Sequence, residues 1–530
     1  MPSSWVIQVL ILSSLIGLAS SEANAHDKQQ PILSESVLLE KIKAIAHKGP
    51  FQPDWNSLEK YKIPMWYQDA KFGIFIHWGA YSVPAFGSEW YPRWMYIDKK
   101  TWRGNTYAHH AKTYGLHKDF GYKNFIPLLT GDNFNAAQWV KLFKDAGARY
   151  VVPVAEHHDG FAMYDSNLTR WNAVDMGPKR DIIGLLEKET RKAGLKFGVS
   201  SHRAFNWAYF PRKPHFDNVN PHYFDLYGRD HEFLYADDVY DLSKPWPPQD
   251  MAFKNHWLAR TGELVEKYHP DLIWFDFGIS PIWVKSYDTN PFQKHLKKFA
   301  AYYYNDAAKN HQEVVLNYKL NAFPESAAVL DIERGKLAGI RPLLWQTDTS
   351  VSFNSWGHIR DQHYKPVNLI VDDLVDIVSK NGVLLLNVCP KPDGSIPQME
   401  QNMLRKIGEW LKMNGEAIYE TRPWLTYGEG PSVTIEGEKQ EEKNKGFTAQ
   451  DIRFTTRGDT LYAIILGWPE ERQVLIKSLA KNDNGTLKKV RRIKLLGSED
   501  SVKWKQTSTS LKVTLPEKSP CDFAVVLKIE

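Results

Sequence analysis

Residues 135–155 read NAAQWVKLFKDAGARYVVPVA. Trp139, Leu142, Phe143 and Ala146 share one face of a 3.6-residue period, Gly147 ends it, and Arg149 to Ala155 follows as an apolar run, so the stretch reads as helix, glycine stop and buried strand. The unit returns. Asp181 to Ala193 carries Ile182, Leu185 and Leu186 on one face, stops at Gly194 and delivers Lys196 to Ser200. Asn255 to Tyr268 delivers Asp271 to Asp276 in the same way. Phe72 to Ile76, Val314 to Asn317, Pro342 to Trp345 and Val383 to Val388 are further strand candidates. Strands that are apolar on both faces and alternate with helices imply a parallel sheet covered on both sides, and so many units favour closure into a (β/α)8-like barrel. An open doubly wound sheet is the alternative, but no Gly-x-Gly-x-x-Gly turn follows any of these strands. A helix around Leu404, Ile407 and Leu411, stopping at Asn414-Gly415, closes the barrel domain, assigned to residues 26–424.

Beyond Trp424 the pattern changes to short strands separated by turn residues, from Asp451 to Thr456 through Asp522 to Ile529. Residues 425–530 therefore read as an antiparallel β-sandwich, with the charge run from Glu436 to Lys445 as a solvated loop and Trp468 and Trp504 as core packing. Ahead of the barrel, the apolar run from Trp5 to Ala19 and the small-x-small triplet Ala23-Asn24-Ala25 have the form of an export signal. Residues 1–25 are expected to be removed, leaving His26 first and the protein periplasmic or secreted. No later run reaches the ~20 apolar residues of a membrane span.

Composition narrows the function. Among 530 residues, 67 Lys and Arg against 62 Asp and Glu leave a net charge of +5, spread along the chain, which disfavours a nucleic-acid binder. Two cysteines, Cys389 and Cys521, support neither a disulfide framework nor a cysteine metal site. The 20 Trp, 25 Tyr and 25 Phe offer many flat faces, most of them needed for cores, some suited to stacking on sugar rings.

The informative polar residues sit where strands end, because the active sites of such barrels form at the C-terminal face. The first strand runs into His77-Trp78-Gly79, the second into Glu156-His157-His158-Asp159-Gly160, and the third into Ser200-Ser201-His202. The fourth ends in Trp274-Phe275-Asp276, the fifth in Asn317-Tyr318-Lys319, and the sixth in Trp345-Gln346-Thr347-Asp348. His77, His157, His158, His202 and Asp276 could supply a zinc shell, which would make a metal-dependent hydrolase. No His-x-His or His-Glu-x-x-His spacing supports that, and no Gly-x-Ser-x-Gly elbow supports a serine hydrolase. Imidazoles beside indoles suit a sugar better: rings pack on its apolar face while nitrogens and carboxylates bind its hydroxyls.

At these residues the chain resembles the retaining α-L-fucosidases of glycoside hydrolase family 29. The resemblance rests on Lys71 to Gly79, Ser88-Glu89-Trp90-Tyr91, Glu156 to Phe161, Gly177-Pro178-Lys179-Arg180-Asp181, Asp271 to Asp276 and Asn381 to Asn387, and it spans nearly the whole mature sequence. It implies a barrel followed by a β-sandwich, Asp276 as nucleophile, and an acid/base supplied either by Glu333, from a loop after the fifth strand, or by Glu89. It further implies that His77, His157 and His158 bind fucose hydroxyls, that Trp274 flanks the ring, and that Glu89 and Trp90 complete the pocket. Two positions depart from the family. His202 stands where many members have an aromatic residue, and Lys319 replaces an arginine, exchanging a planar fork for a single ammonium. The expected activity is hydrolysis of terminal α-L-fucosyl linkages in glycans, with a fucosylated oligosaccharide as partner and no metal or cofactor. A carbohydrate-binding protein on a decayed hydrolase scaffold is the alternative.

Overall fold

The computed structural model describes residues 34–100, 104–481 and 490–530, so the expected export signal lies outside the described residues. Eight parallel strands form the first sheet: β1 Phe72–Ile76, β2 Tyr150–Glu156, β3 Lys196–Ser201, β4 Leu272–Phe275, β5 Val315–Tyr318, β6 Val329–Leu330, β7 Trp345–Ser350 and β8 Gly382–Val388. They run in the order β6-β5-β4-β3-β2-β1-β8-β7. Just past β6, a parallel bridge from Asp331 to Gln346 brings the two ends together, with the Ile332 N–H donating to the Gln346 carbonyl at 2.9 Å. This nearly closed barrel is the fold class the helix–glycine–strand units imply.

The local signals act where the sequence places them. Asn135 and Asp181 cap helices Ala136–Asp145 and Ile182–Lys192, their side chains accepting from the N–H groups of Gln138 and Gly184. Gly147 and Gly194 have φ of +91° and +76°, the left-handed turn that lets each helix stop and the next strand begin. Every residue of β1, β2, β4, β5, β7 and β8 is buried, which is why these strands show no alternation of polar and apolar residues.

The far side of the barrel departs from the sequence reading. The sixth strand was expected at Pro342 to Trp345 but runs Trp345–Ser350, because three of its inward residues are polar and mask the apolar pattern. A further strand, β6, is only two residues long, too short for any periodicity. Between β5 and β7 no α-helix occurs among the described residues. An irregular loop, residues 331–344, therefore occupies the rim where a regular barrel would send its chain into a helix.

The C-terminal part has two antiparallel sheets. One is ordered β13-β16-β11-β10-β9 and the other β12-β15-β14, where β9 is Arg422–Glu429, β10 Ile452–Arg457, β11 Thr460–Ile465, β12 Gln473–Ile476, β13 Ile493–Leu495, β14 Lys503–Gln506, β15 Leu511–Thr514 and β16 Val525–Ile529. Phe454, Ala463, Val474, Ile476, Val513 and Leu527 fill the space between them, with Trp468 and Trp504 packed at its margin. The charge run is solvated at Glu436, Lys439, Glu442, Lys443 and Lys445, as expected of it, but not throughout. Glu441 is buried against Arg334, Thr349 and Lys365 of the barrel rim.

Candidate active site

The C-terminal ends of the strands enclose a cavity of about 400 Å³. His77 after β1, His157 after β2, His202 after β3, Trp274 in β4 with Asp276 just after it, and Lys319 after β5 line it, joined by Glu89, Trp90 and Glu333 from loops. Nine of the ten residues singled out from the sequence thus meet in one pocket. The tenth, His158, was expected to touch a sugar hydroxyl but is turned beneath the wall. It is fully buried, its Nδ1 2.7 Å from the His202 carbonyl and its Nε2 3.2 Å from Asp276 Oδ2. Consecutive residues at a strand end face opposite ways, so only His157 of the pair reaches the opening.

Asp276 is the most heavily supported group. Oδ2 contacts His202 Nδ1 at 2.9 Å, and Oδ1 accepts the Phe277 N–H at 2.8 Å and lies 3.3 Å from Lys319 Nζ. Burial would raise this carboxyl, but the Lys319 ammonium and the two imidazoles outweigh burial and hold it well below the ordinary aspartate range. It is held as a buried anion. Lys319 also contacts Glu333 Oε2 at 2.9 Å and Asp348 Oδ2 at 3.7 Å, with its Nζ 4.7 Å from the Trp274 ring centroid. Four carboxyl groups, those of Asp276, Asp348, Glu333 and Asp331, drive the pKa of Lys319 above its usual value against the opposing effect of burial.

One ammonium in contact with both Asp276 and Glu333 means that their oxygens can be no farther apart than those two contacts end to end. That fits the separation of about 5–5.5 Å between carboxyl groups that a double displacement uses. Glu89 is placed differently. Its Oε2 accepts the Trp356 N–H at 2.9 Å and the Ser355 hydroxyl at 3.2 Å, which fixes it as an acceptor in the wall.

The imidazoles are tuned to stay neutral. Burial first, then repulsion from His202, pushes the pKa of His77 far down; burial, then His158 and His202, does the same to His157. His202 is lowered to about 4 by burial, against the pull of Asp276. A neutral imidazole offers one donor and one acceptor, which matches a hydroxyl. The amide of Asn387 sets the His77 ring: it donates to the Trp356 carbonyl at 2.7 Å, so its oxygen faces His77 Nδ1 at 2.8 Å and Nε2 is left toward the pocket. His157 Nδ1 has no hydrogen-bond partner among the described residues.

Nitrogens of His77, His157 and His202 lie within 4.8 Å of one another, as do ligand atoms of His158, His202 and Asp276, so both sets have the donors a transition metal accepts. Ligation by His202 would break one of its existing contacts, Nδ1 to Asp276 at 2.9 Å or Nε2 to Ser200 Oγ at 3.0 Å.

Several wall residues went unrecognised in the sequence. Phe353, Asn354 and Trp356 come from the loop after β7, a position that strand-end reasoning could have reached had β7 been placed correctly. Arg334, Lys439, Glu441 and Glu442 also line the cavity, the last three from the charge run far along the chain. No local signal marks them. Asp348, visible before only as a strand-end acid, is buried beneath Lys319; burial and then Asp331 raise its carboxyl well above the usual range.

A barrel whose open end sets two carboxyl groups around one lysine, beneath neutral imidazoles and indoles, has the machinery of a glycoside hydrolase. The comparisons specify which. The α-L-fucosidase family model matches residues 38–416 and the α-L-fucosidase C-terminal domain matches residues 444–530. Mouse tissue α-L-fucosidase is 31% identical over 493 residues, covering 90% of this chain and 94% of the relative. An α-L-fucosidase of Branchiostoma floridae is 29% identical over 510 residues, covering 93% and 99%. The crystal structure of Thermotoga maritima α-fucosidase in complex with fucose superposes with a TM-score of 0.69 at 29% identity, covering 91% of this chain and all of that one. The chain belongs to the α-L-fucosidase family.

Proposed function

We propose that the protein is an exported, retaining α-L-fucosidase that removes terminal fucose from glycans, with Asp276 as nucleophile and Glu333 as acid/base. The observation that carries this reading is the Lys319 ammonium shared between the two carboxylates, 3.3 Å from one and 2.9 Å from the other. Asp276 attacks the anomeric carbon; the bond from that carbon to the departing oxygen breaks, and Glu333 gives that oxygen a proton. Water then attacks the same carbon, its proton passes to Glu333, and the bond to Asp276 breaks, restoring both carboxyl groups. His77, His157 and Glu89 bind hydroxyls. Trp90 and Phe277, stacked with centroids 6.0 Å apart, form an apolar corner suited to the methyl group at C6.

The tendency of burial to raise the Glu333 carboxyl is overcome by Lys319 and Lys439, which hold it down at about 2. That state suits a base. A neutral sugar inserted between the carboxyl groups draws Glu333 away from Lys319, and burial then lifts the group toward the protonated form that the first step needs.

Purified protein should release fucose from an aryl α-L-fucoside, and proton NMR should show the α-anomer first. Asp276→Gly should lower turnover by roughly 10³-fold or more, with azide restoring part of it as fucosyl azide. A β-anomer first would overturn retention, binding without turnover would favour a lectin-like role, and activity abolished by a chelator would favour a metallohydrolase.

A further inference from the structure

Residues 417–443 fall between the two family matches, yet part of this stretch is laced to the loop that carries Glu333. The Lys439 N–H donates to the Glu333 carbonyl at 2.8 Å, the Glu441 N–H to the Arg334 carbonyl at 3.0 Å, and the Gly437 N–H to the Lys336 carbonyl at 3.0 Å. At the outer end, Glu436 Oε2 accepts the Ala338 N–H at 3.0 Å. The approach is so close that a Cβ on Gly335 would meet the Gly437 carbonyl oxygen at 2.6 Å. We propose that residues 436–441 form a clamp that holds Glu333 in register with the nucleophile, with Glu441 as the positioning residue that anchors it.

Glu441 has the partners an anchor needs. It pairs with Lys365, accepts from the Thr349 hydroxyl at 2.9 and 3.0 Å, and contacts Arg334 Nη1 at 3.4 Å. Thr349 belongs to β7 and the Lys365 side chain is fully buried, so the anchor is set in the barrel wall. Arg334 in turn sits at φ +44°, a left-handed conformation disfavoured for a side chain of its size. It is held there by its N–H donating to the Asp348 carbonyl at 2.9 Å, its guanidinium donating to the Ser352 carbonyl at 3.0 Å, and its stacking 4.7 Å from the Trp356 centroid. The residue after the acid/base is thus pinned on both sides. Such support is required because the Glu333 loop follows a strand of two residues and, among the described residues, no helix lies between it and β7 in the chain. A displacement of about 1 Å in a proton donor can cost roughly 10²-fold in rate.

The inference rests on Glu333 being the acid/base, and leaving-group dependence separates the two ideas. Dinitrophenolate leaves a dinitrophenyl fucoside as a stable anion without a proton, whereas the sugar alkoxide leaving a fucosyl disaccharide needs a proton on its oxygen. Glu441→Gln should lower kcat/KM for the disaccharide by roughly 10- to 100-fold and for the dinitrophenyl fucoside by less than about 3-fold. Glu436→Ala, at the exposed end, should give the same selectivity with a loss of about 3-fold on the disaccharide, and it keeps the test open if Glu441→Gln fails to fold. Equal losses on both substrates, or none on either, would overturn the clamp while leaving Glu333→Gln with its own leaving-group selectivity. Absence of that selectivity in Glu333→Gln would overturn the acid/base assignment and the clamp together.

Discussion

Lys319 is the buried ammonium that contacts both candidate catalytic carboxyl groups, and its side chain is 5% exposed. Replacing it by Met leaves buried carboxylates without their counter-charge, a change that typically costs roughly 3–5 kcal/mol, so Lys319→Met should melt several degrees lower. The sign of its pH effect follows from the two depressed groups. Asp276 and Glu333 titrate below their unfolded values, so they stabilise the fold above about pH 4.5 and lose that contribution as pH falls through their folded values, about 2 for Glu333. Without the ammonium both rise, and the acidic limb of kcat/KM and the acid unfolding midpoint should move to higher pH; unchanged limbs would count against the lysine. A second consequence concerns ligand binding. If fucose separates Glu333 from Lys319, the Glu333 pKa rises on binding and protons are taken up, so affinity should strengthen as pH falls from 7 toward 5. Calorimetry in buffers of different ionisation enthalpy should show that uptake.

At the scale of elements, the barrel depends on strands that approach closely. A Cβ placed on Gly73 in β1 would lie 2.3 Å from the Tyr150 ring of β2, and that ring reaches across to hydrogen-bond Gln346 at 3.1 Å in β7. The glycine makes room for an aromatic that ties opposite sides of the barrel. Gly73→Ala should therefore destabilise by roughly 1–3 kcal/mol through overpacking, read as a lower urea midpoint with an unchanged slope. The two-residue β6 has the opposite character: little of its own holds it, and the Asp331–Gln346 bridge completes the ring for it.

At the scale of the whole molecule, the barrel and the sandwich share one continuous hydrophobic core. Tyr462, Ile464, Ala524 and Val526 of the sandwich belong to the same continuous core as the barrel helices. Trp410 donates to the Ala524 carbonyl at 2.7 Å, and Arg453 of β10 meets Asp376, which also holds Lys380 at 2.8 Å. Arg453→Met should cost roughly 3–5 kcal/mol by breaking a buried ion cluster. Calorimetry of the intact chain should show one transition with matching calorimetric and van't Hoff enthalpies; two separated transitions would mean that the domains unfold independently.

The amino-acid order alone establishes the parallel barrel and the change to antiparallel strands, and it marks His77, His157, His202, Trp274, Asp276 and Lys319 of the pocket as residues that end strands, while Glu89, Trp90 and Glu333 are legible only through the family resemblance. Those properties are local: helix faces, glycine stops, apolar runs and the polar residues that end them are all read within a few positions. Folding alone reveals β6, the true span of β7, the retreat of His158 beneath Asp276, and the insertion of the charge run at the rim. Each of these depends on which distant segments lie side by side. A glutamate in a polar run looks solvated until Lys365, Thr349 and Arg334, from other elements, surround it and compensate the cost of its burial.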